Sequence, residues 1–315
     1  MNRSRTGVPG KPCDPDDDFA YTAQPMSQDS TRDHTATLLV SCPDRRGLVA
    51  ALAQLLYGHG ANILDADQHT DTLAGMFFQR IRFDMSEMHT DRVALEGAIA
   101  EVAERFRMAW SIRYAATRKR MAIFVSRYDH CLYDLLLRHK AGELVCDIPL
   151  IVSNHEDLAE VATQFGIDFH VFPITEKSKR EQEDREIALL GDQHIDLVVM
   201  ARYMQILSTD FTDAFPSRII NIHHSFLPAF VGGKPYHQAY GRGVKLIGAT
   251  AHYATSDLDE GPIIEQDVIR TSHRDSLEDL VCKGRDVERS VLARAVRWHL
   301  EDRVLVYGNR TVVFH

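Results

Sequence analysis

Thirty-six Lys and Arg against 45 Asp and Glu in 315 residues give a formal charge of −9. That balance argues against nucleic acid as the main partner, because phosphate binding calls for a basic face. A hydrophobic content of 44% and a charged content of 26% are ordinary for a globular chain, long enough here for two domains with separate cores. No apolar run approaches the roughly 20 residues of a membrane span. Residues 1–33, with Pro, Gly, Ser and the acidic run Asp16–Asp18, have no apolar core of a signal peptide and read as a disordered tail. The five cysteines, Cys13, Cys42, Cys131, Cys146 and Cys282, are scattered and form no CxxC pair. Reduced thiols in a cytoplasm fit them better than a disulfide framework or a zinc knuckle.

After the tail, residues 35–42 read as a strand. Pro43-Asp44-Arg45-Arg46-Gly47 then opens a helix over Leu48–Leu56 that stops at Gly58 and Gly60. Residues 62–70 and 76–83 read as two strands joined by a polar turn. A second amphipathic helix runs from about Arg92 to Phe106, with Val93, Leu95, Ile99, Val102 and Phe106 on one face. Ala109–Tyr114 closes the unit as a strand. The order β-α-β-β-α-β over residues 34–115 predicts a ferredoxin-like domain. Residues 116–119 form a short polar linker.

From residue 120 to 315 the pattern alternates strands with helices. Strands are expected at 121–126, 149–153, 168–171, 195–200, 218–222 and 248–253, and helices at 131–137, 158–165, 176–191 and from about Ser276 to Leu300. Two short strands close the chain near Val313. Such βαβ units predict a doubly wound, mostly parallel Rossmann-like sheet, whose ligands sit at the carboxyl ends of the strands.

Asn221 and His223 fall at such an end, and Asp259 follows after a further strand. An amide can hold a developing oxyanion, an imidazole can relay a proton near neutral pH, and a carboxylate can orient that imidazole or a water. Each alone has a bland reading, as a cap or a surface group. Leu227-Pro228 forces an extended exit from the strand. His223, His224, His237 and His252 lack the spacing of a zinc site, so no metal is expected.

Asn-Ile-His followed by Ser-Phe-Leu-Pro, with Leu-Asp-Glu-Gly-Pro some 35 residues on, resembles the folate-dependent formyltransferase family. The Asp-Arg-Arg-Gly opening resembles an ACT domain, a small-molecule sensing module. The resemblance covers roughly residues 35–314, and its two-domain layout is similar to the hydrolytic branch of the family. It implies a hydrolase that splits 10-formyltetrahydrofolate, a linear amide-type C–N bond, into formate and tetrahydrofolate. That reaction would balance the one-carbon pool and supply formate for purine synthesis.

In that resemblance Asn221, His223 and Asp259 are catalytic, and no cofactor is needed beyond the folate substrate. The segment Met200–Leu207 is similar to the family's pterin loop, with Arg202, Tyr203, Met204, Ile206 and Leu207 toward the folate. His252, Thr255 and Leu258 would lie on the pocket's other side. Asp44, Arg45, Gly47 and Leu48 would bind a regulatory amino acid, with glycine and methionine as candidates. A homo-oligomer, dimer or tetramer, is implied as well.

Relatives that formylate glycinamide ribonucleotide carry a Gly-Ser-Asn-type phosphate cradle after the first strand. Here Ser126-Arg127-Tyr128-Asp129-His130-Cys131 stands instead, with Asp129 expected to cap the helix that follows. His224 stands where those relatives usually carry Pro, and in an extended segment its side chain should point away from that of His223. Lys177, Lys179 and Arg180 are either contacts for a polyglutamate tail or a solvated helix face. Two alternatives stay open: a formyltransferase with an unidentified small acceptor, and a folate-binding regulator without turnover. Removal of residues 1–33 is expected to leave catalytic activity intact. A large loss in a steady-state assay of the truncated protein would show that the segment is structural.

Overall fold

The computed structural model describes residues 34–229 and 235–315; the expected tail at 1–33 lies outside them. The first unit is β1 (Thr35–Pro43), α1 (Leu48–Gly58), β2 (Asn62–Asp71), β3 (Met76–Asp84), α2 (Arg92–Phe106) and β4 (Ala109–Tyr114). Its four strands lie in the order β2-β3-β1-β4 and every pairing is antiparallel. Strand alternation sends Leu38, Val40, Phe77, Ile81 and Phe83 to one face, where they bury against Leu52 and Leu56 of α1 and Leu95 and Ile99 of α2. Gly47, the residue before α1, has φ 91°, a left-handed conformation that glycine adopts without strain. Asp44 and Arg45 lie exposed beside it, the Asp44 N–H donating to Gly75 O, while Leu48 packs into the core.

The second unit comprises β5 (Arg120–Val125), α3 (His130–Lys140), β6 (Asp147–Ser153), α4 (Ala159–Phe165), β7 (Asp168–Val171), α5 (Lys179–Asp192) and β8 (Leu197–Met200). It continues through α6 (Thr209–Ala214), β9 (Ile219–His223), α7 (Pro235–Arg242), β10 (Leu246–Tyr253), β11 (Ile263–Arg270) and α8 (Leu277–Leu300), and ends in a hairpin of β12 (Val304–Tyr307) and β13 (Arg310–Val313). The seven-stranded sheet has the order β11-β10-β9-β8-β5-β6-β7. Strands β5 to β9 are mutually parallel, as the alternating pattern predicts. Strand β10 alone runs the other way, antiparallel to both β9 and β11, and β11 turns back from it through a short loop rather than a helical crossover.

The apolar run of β8 is buried on both faces. Helices α3, α4 and α8 cover one side of the sheet, and α5 and α6 the other. Ser276 and Asp279 form a reciprocal capping box at the start of α8, a few residues after β11 ends.

The residues between the two units are not a free tether. Lys119 donates to the carbonyls of His299 and Leu300 at the end of α8, at 3.0 and 2.8 Å, and to Asp302 Oδ1 at 2.7 Å. A lysine there meets the negative end of the helix dipole. From the first sheet, Arg80 donates to Asp302 O and Glu301 O and pairs with Asp65. The β12–β13 hairpin covers the remaining face of that sheet, burying Leu39 and Phe78 against Phe314, with Leu305, Tyr307 and Val312 beside them. Among the described residues, no helix is long and apolar enough to cross a membrane.

Candidate active site

Strands β8 and β9 leave the sheet side by side, with Met200 opposite Asn221, so the loop after β8 and the end of β9 share one edge. Strand β10 runs back along β9 and places His252 opposite Asn221. The loop from β10 to β11 then returns Asp259 to the end of β9. His223 Nδ1 lies 3.1 Å from Asp259 Oδ1, and both side chains are less than one-tenth exposed. His252 Nε2 is 3.7 Å from the same oxygen. Burial pushes the Asp259 carboxyl up, but its contact with His223 outweighs that and holds it below the usual carboxylate range. A carboxylate accepts only, so His223 carries its hydrogen on Nδ1. Its Nε2 is buried and has no hydrogen-bond partner among the described residues.

The orientation of the Asn221 amide follows from a second chain of contacts. His252 Nδ1 is 3.0 Å from the Tyr253 carbonyl, which can only accept, so His252 is protonated there. Its Nε2 then offers a lone pair to Asn221 Nδ2, 3.2 Å away. One N–H of the amide is thereby used, and the second is left for a ligand.

His224 departs from expectation. Strand β9 ends at His223, so the alternation of an extended segment stops there, and the two imidazoles lie with ring centroids 5.2 Å apart. His224 also stands edge-on to Tyr236. Burial, with help from Arg202, lowers its pKa to about 3, so it is neutral at pH 7. Asp129 is a second departure: it stands at the N-cap of α3 with a helical backbone and makes no side-chain cap bond.

The loop Ala201–Ser208 is pinned from below. Ser126, at the end of β5, donates to Asn154 Oδ1 at 2.7 Å and accepts the Met204 N–H at 2.9 Å. Met204 and Ile206 are half exposed, whereas Leu207 is buried. Tyr203 turns inward, edge-on to Phe124. Its hydroxyl donates to Glu186 Oε1 at 3.2 Å. Arg202 holds a left-handed backbone (φ 68°) and is buried, its guanidinium over the Tyr128 ring. Across the edge, His252 is buried while Thr255 and Leu258 are exposed in the Asp259 loop. Lys179 and Arg180 lie away on α5, paired with Glu183 and Asp210.

A buried polar cluster lies behind His224, unforeseen in the sequence. Glu288 of α8 is 1% exposed. It accepts from His130 Nε2 at 2.8 Å and from Tyr236 OH, with Arg202 Nε at 3.5 Å. Gly284, one turn earlier, leaves room for the Tyr236 ring, because a Cβ there would lie 2.1 Å from its hydroxyl. The signal in the sequence is a glutamate on the same helical face as Val287, Val291 and Leu292, where a charge must find partners. Ligand atoms of His130, Cys131 and Glu288 lie within 4.8 Å of one another, a grouping of the size a metal ion could use. Arg202 beside Glu288 already balances its charge. The exposed His237 joins neither group.

A mostly parallel sheet with an Asn-His-Asp cluster at its carboxyl edge thus follows a small βαββαβ unit. The formyl transferase family model matches residues 119–296, and the ACT domain model residues 36–104. A formyltetrahydrofolate deformylase of Synechocystis sp. is 59% identical over 89% of this chain and 98% of its own length. The Bacillus subtilis deformylase is 52% identical over 88% and 93% of the two chains. A solved deformylase structure from Pseudomonas syringae pv. tomato superposes with a TM-score of 0.87 at 49% identity, covering 89% of this chain and 94% of that one. The chain belongs to the formyltetrahydrofolate deformylase family.

Glu186 yields a test of the loop's foundation. It is fully buried, its Oε2 has no hydrogen-bond partner among the described residues, and burial, with Glu183 adding to it, pushes its pKa from 4.5 up to about 7. A carboxyl with a raised folded pKa is penalised as pH rises from its unfolded value toward its folded one. Glu186→Gln is therefore expected to gain stability relative to wild type at pH 8 over pH 5, by about 2 kcal/mol. Denaturant titrations of both proteins at the two pH values measure this, and an equal difference at both would refute it.

Proposed function

We propose that the chain hydrolyses 10-formyltetrahydrofolate to formate and tetrahydrofolate. The observation that carries this reading is the free, buried Nε2 of His223, whose other nitrogen is fixed on Asp259 beside an amide with one N–H to spare. The formyl oxygen accepts that N–H from Asn221. Nε2 of His223 removes a proton from water as the water oxygen bonds to the formyl carbon. Asp259 accepts the Nδ1–H throughout and stabilises the imidazolium that forms. Negative charge collects on the former carbonyl oxygen, where a preorganised donor is worth about 3–4 kcal/mol. The imidazolium then gives its proton to N10 as the C–N bond breaks. The new C–O bond and the departing protonated amine account for the atoms of water.

Water as acceptor is supported by what fills the turn after β5. His130 is buried on Glu288, Ser126 is committed to Met204 and Asn154, and Arg202 lies over Tyr128. Bulky side chains stand where a phosphorylated acceptor needs small residues and free amides. The pterin would lie between the loop Ala201–Ser208 and the Asp259 loop, where Met204, Ile206 and Leu258 offer apolar surface. The same reading takes the ACT unit as the receptor for glycine or methionine near Gly47, and the protein as a cytoplasmic homo-oligomer.

Purified protein given 10-formyltetrahydrofolate in buffer alone should release formate and tetrahydrofolate in equal amounts, with a changed rate when glycine or methionine is added. Binding without formate would overturn the reading, in favour of a missing acceptor or a protein without turnover. His223→Ala and Asp259→Ala should each lower kcat by at least about 10²-fold with folate binding largely kept. Either variant retaining more than half of wild-type turnover would remove that residue from the reaction.

A further inference from the structure

The loop that carries Asp259 is poorly supported from within. Asp259 itself has φ 58°, a left-handed conformation that is strained for a residue with a side chain. Its internal bonds are long: Thr255 Oγ1 to Asp257 O at 3.2 Å and Glu260 N to Asp257 O at 3.3 Å. Gly261 is pressed against the end of β10, where a Cβ would lie 1.8 Å from Tyr253 O. Strain of this kind persists only where the surroundings over-determine the backbone.

The added determination comes from the end of the chain. Asn309, at the turn of the β12–β13 hairpin, donates from Nδ2 to the Glu260 carbonyl at 2.8 Å. Thr311 donates to Ile263 O at 2.6 Å on the far side of the loop. The residue next to Asp259 is thus held by a side chain 49 positions away in sequence.

The same hairpin is seated on the ACT sheet. Tyr307 donates to Asp71 Oδ2 at 2.9 Å, and its ring lies 4.5 Å from that of Phe78, which is fully buried. Arg310 approaches Asp71 at 3.8 Å. Asp71 is itself fixed at the β2–β3 turn by the N–H groups of Leu73 and Ala74.

We propose that Asn309 is a positioning residue for Asp259, and that the hairpin bearing it transmits movement of the ACT sheet, through Tyr307, to the catalytic loop. The turnover arm of this proposal rests on the deformylase reading, in which Asp259 orients His223. A displacement of the β2–β3 turn moves Asp71, with it Tyr307, and with the hairpin the donor that fixes the Glu260 carbonyl. His223 then loses the register of its partner while the loop Ala201–Ser208 stays in place.

The test uses full-length protein and two readouts. Loss of one such hydrogen bond is read as about a three- to tenfold change. Asn309→Ala should lower kcat by that factor with KM within about twofold of wild type, at an unchanged melting temperature, since Asn309 is an exposed turn residue. Asn309→Asp, which lacks the donor, should behave like the alanine variant, and Asn309→Gln should recover part of the loss. Hydrogen exchange of the backbone amides in residues 254–262 should accelerate by the same factor in Asn309→Ala. It should accelerate also in Tyr307→Phe, whose missing hydroxyl bonds the ACT sheet. Unchanged kcat and exchange in Asn309→Ala would overturn the positioning role, and unchanged exchange in Tyr307→Phe would overturn the coupling. The exchange readout needs no turnover, so it decides the proposal even if wild type releases no formate.

Discussion

The contact between His223 and Asp259 is the constraint around which the rest of the second domain is arranged. One partner is the last residue of a strand and the other sits in a loop 36 residues later, so neither local propensity nor a single element can bring them together. The antiparallel return of β10 along β9 is what closes the distance, and it is the feature that departs from a wholly parallel sheet. Once the two are joined, the imidazole has one defined tautomer and one free nitrogen. His252 on the neighbouring strand does for Asn221 what Asp259 does for His223: it fixes which way the polar group faces.

Much of the fold could be read from pattern. Alternation in β1 and β3, the 3.6-residue spacing of Leu95 and Ile99, and the doubly buried run of β8 each admit one sensible element. What escaped was set by long-range pairing. Nothing in the residues of β10 states that it runs opposite to β5, and nothing in Tyr307 or Phe314 states that they cover the ACT sheet rather than their own domain. At the site, Asn221, His223 and Asp259 were singled out by motif and by the resemblance that supplied their register. The Glu288 cluster was not, because His130, Arg202, Tyr236 and Glu288 are spread over more than 150 positions and only the fold brings them together. His224 was misjudged for a local reason: alternation holds only while the strand lasts, and β9 stops one residue earlier.

Two buried acids touch the loop after β8, Glu186 through Tyr203 and Glu288 through Arg202, and they solve the same problem differently. Glu288 gathers a histidine, a tyrosine and an arginine, and these contacts outweigh burial so that its pKa falls. Glu186 has a single tyrosine hydroxyl and a like-charged neighbour, and its pKa rises. The first arrangement is a charged, fully engaged anchor; the second is an acid whose charge state near neutrality is decided by the packing above it. Replacing either by a hydrocarbon would leave the partner groups without acceptors in a dry interior.

The clamp made by Lys119, Arg80 and Asp302 on the last turn of α8 means that the two domains do not hang from a hinge. Separating them would strand an arginine and a lysine from the carbonyls that hold them and uncover Phe78. The free energy of the smaller domain is then shared with the larger one. A molecule that binds the ACT fold tightens the enzyme domain by mass action even where no atom of the pocket moves. Heat resistance of the whole chain thereby becomes a gauge of occupancy at its ACT domain.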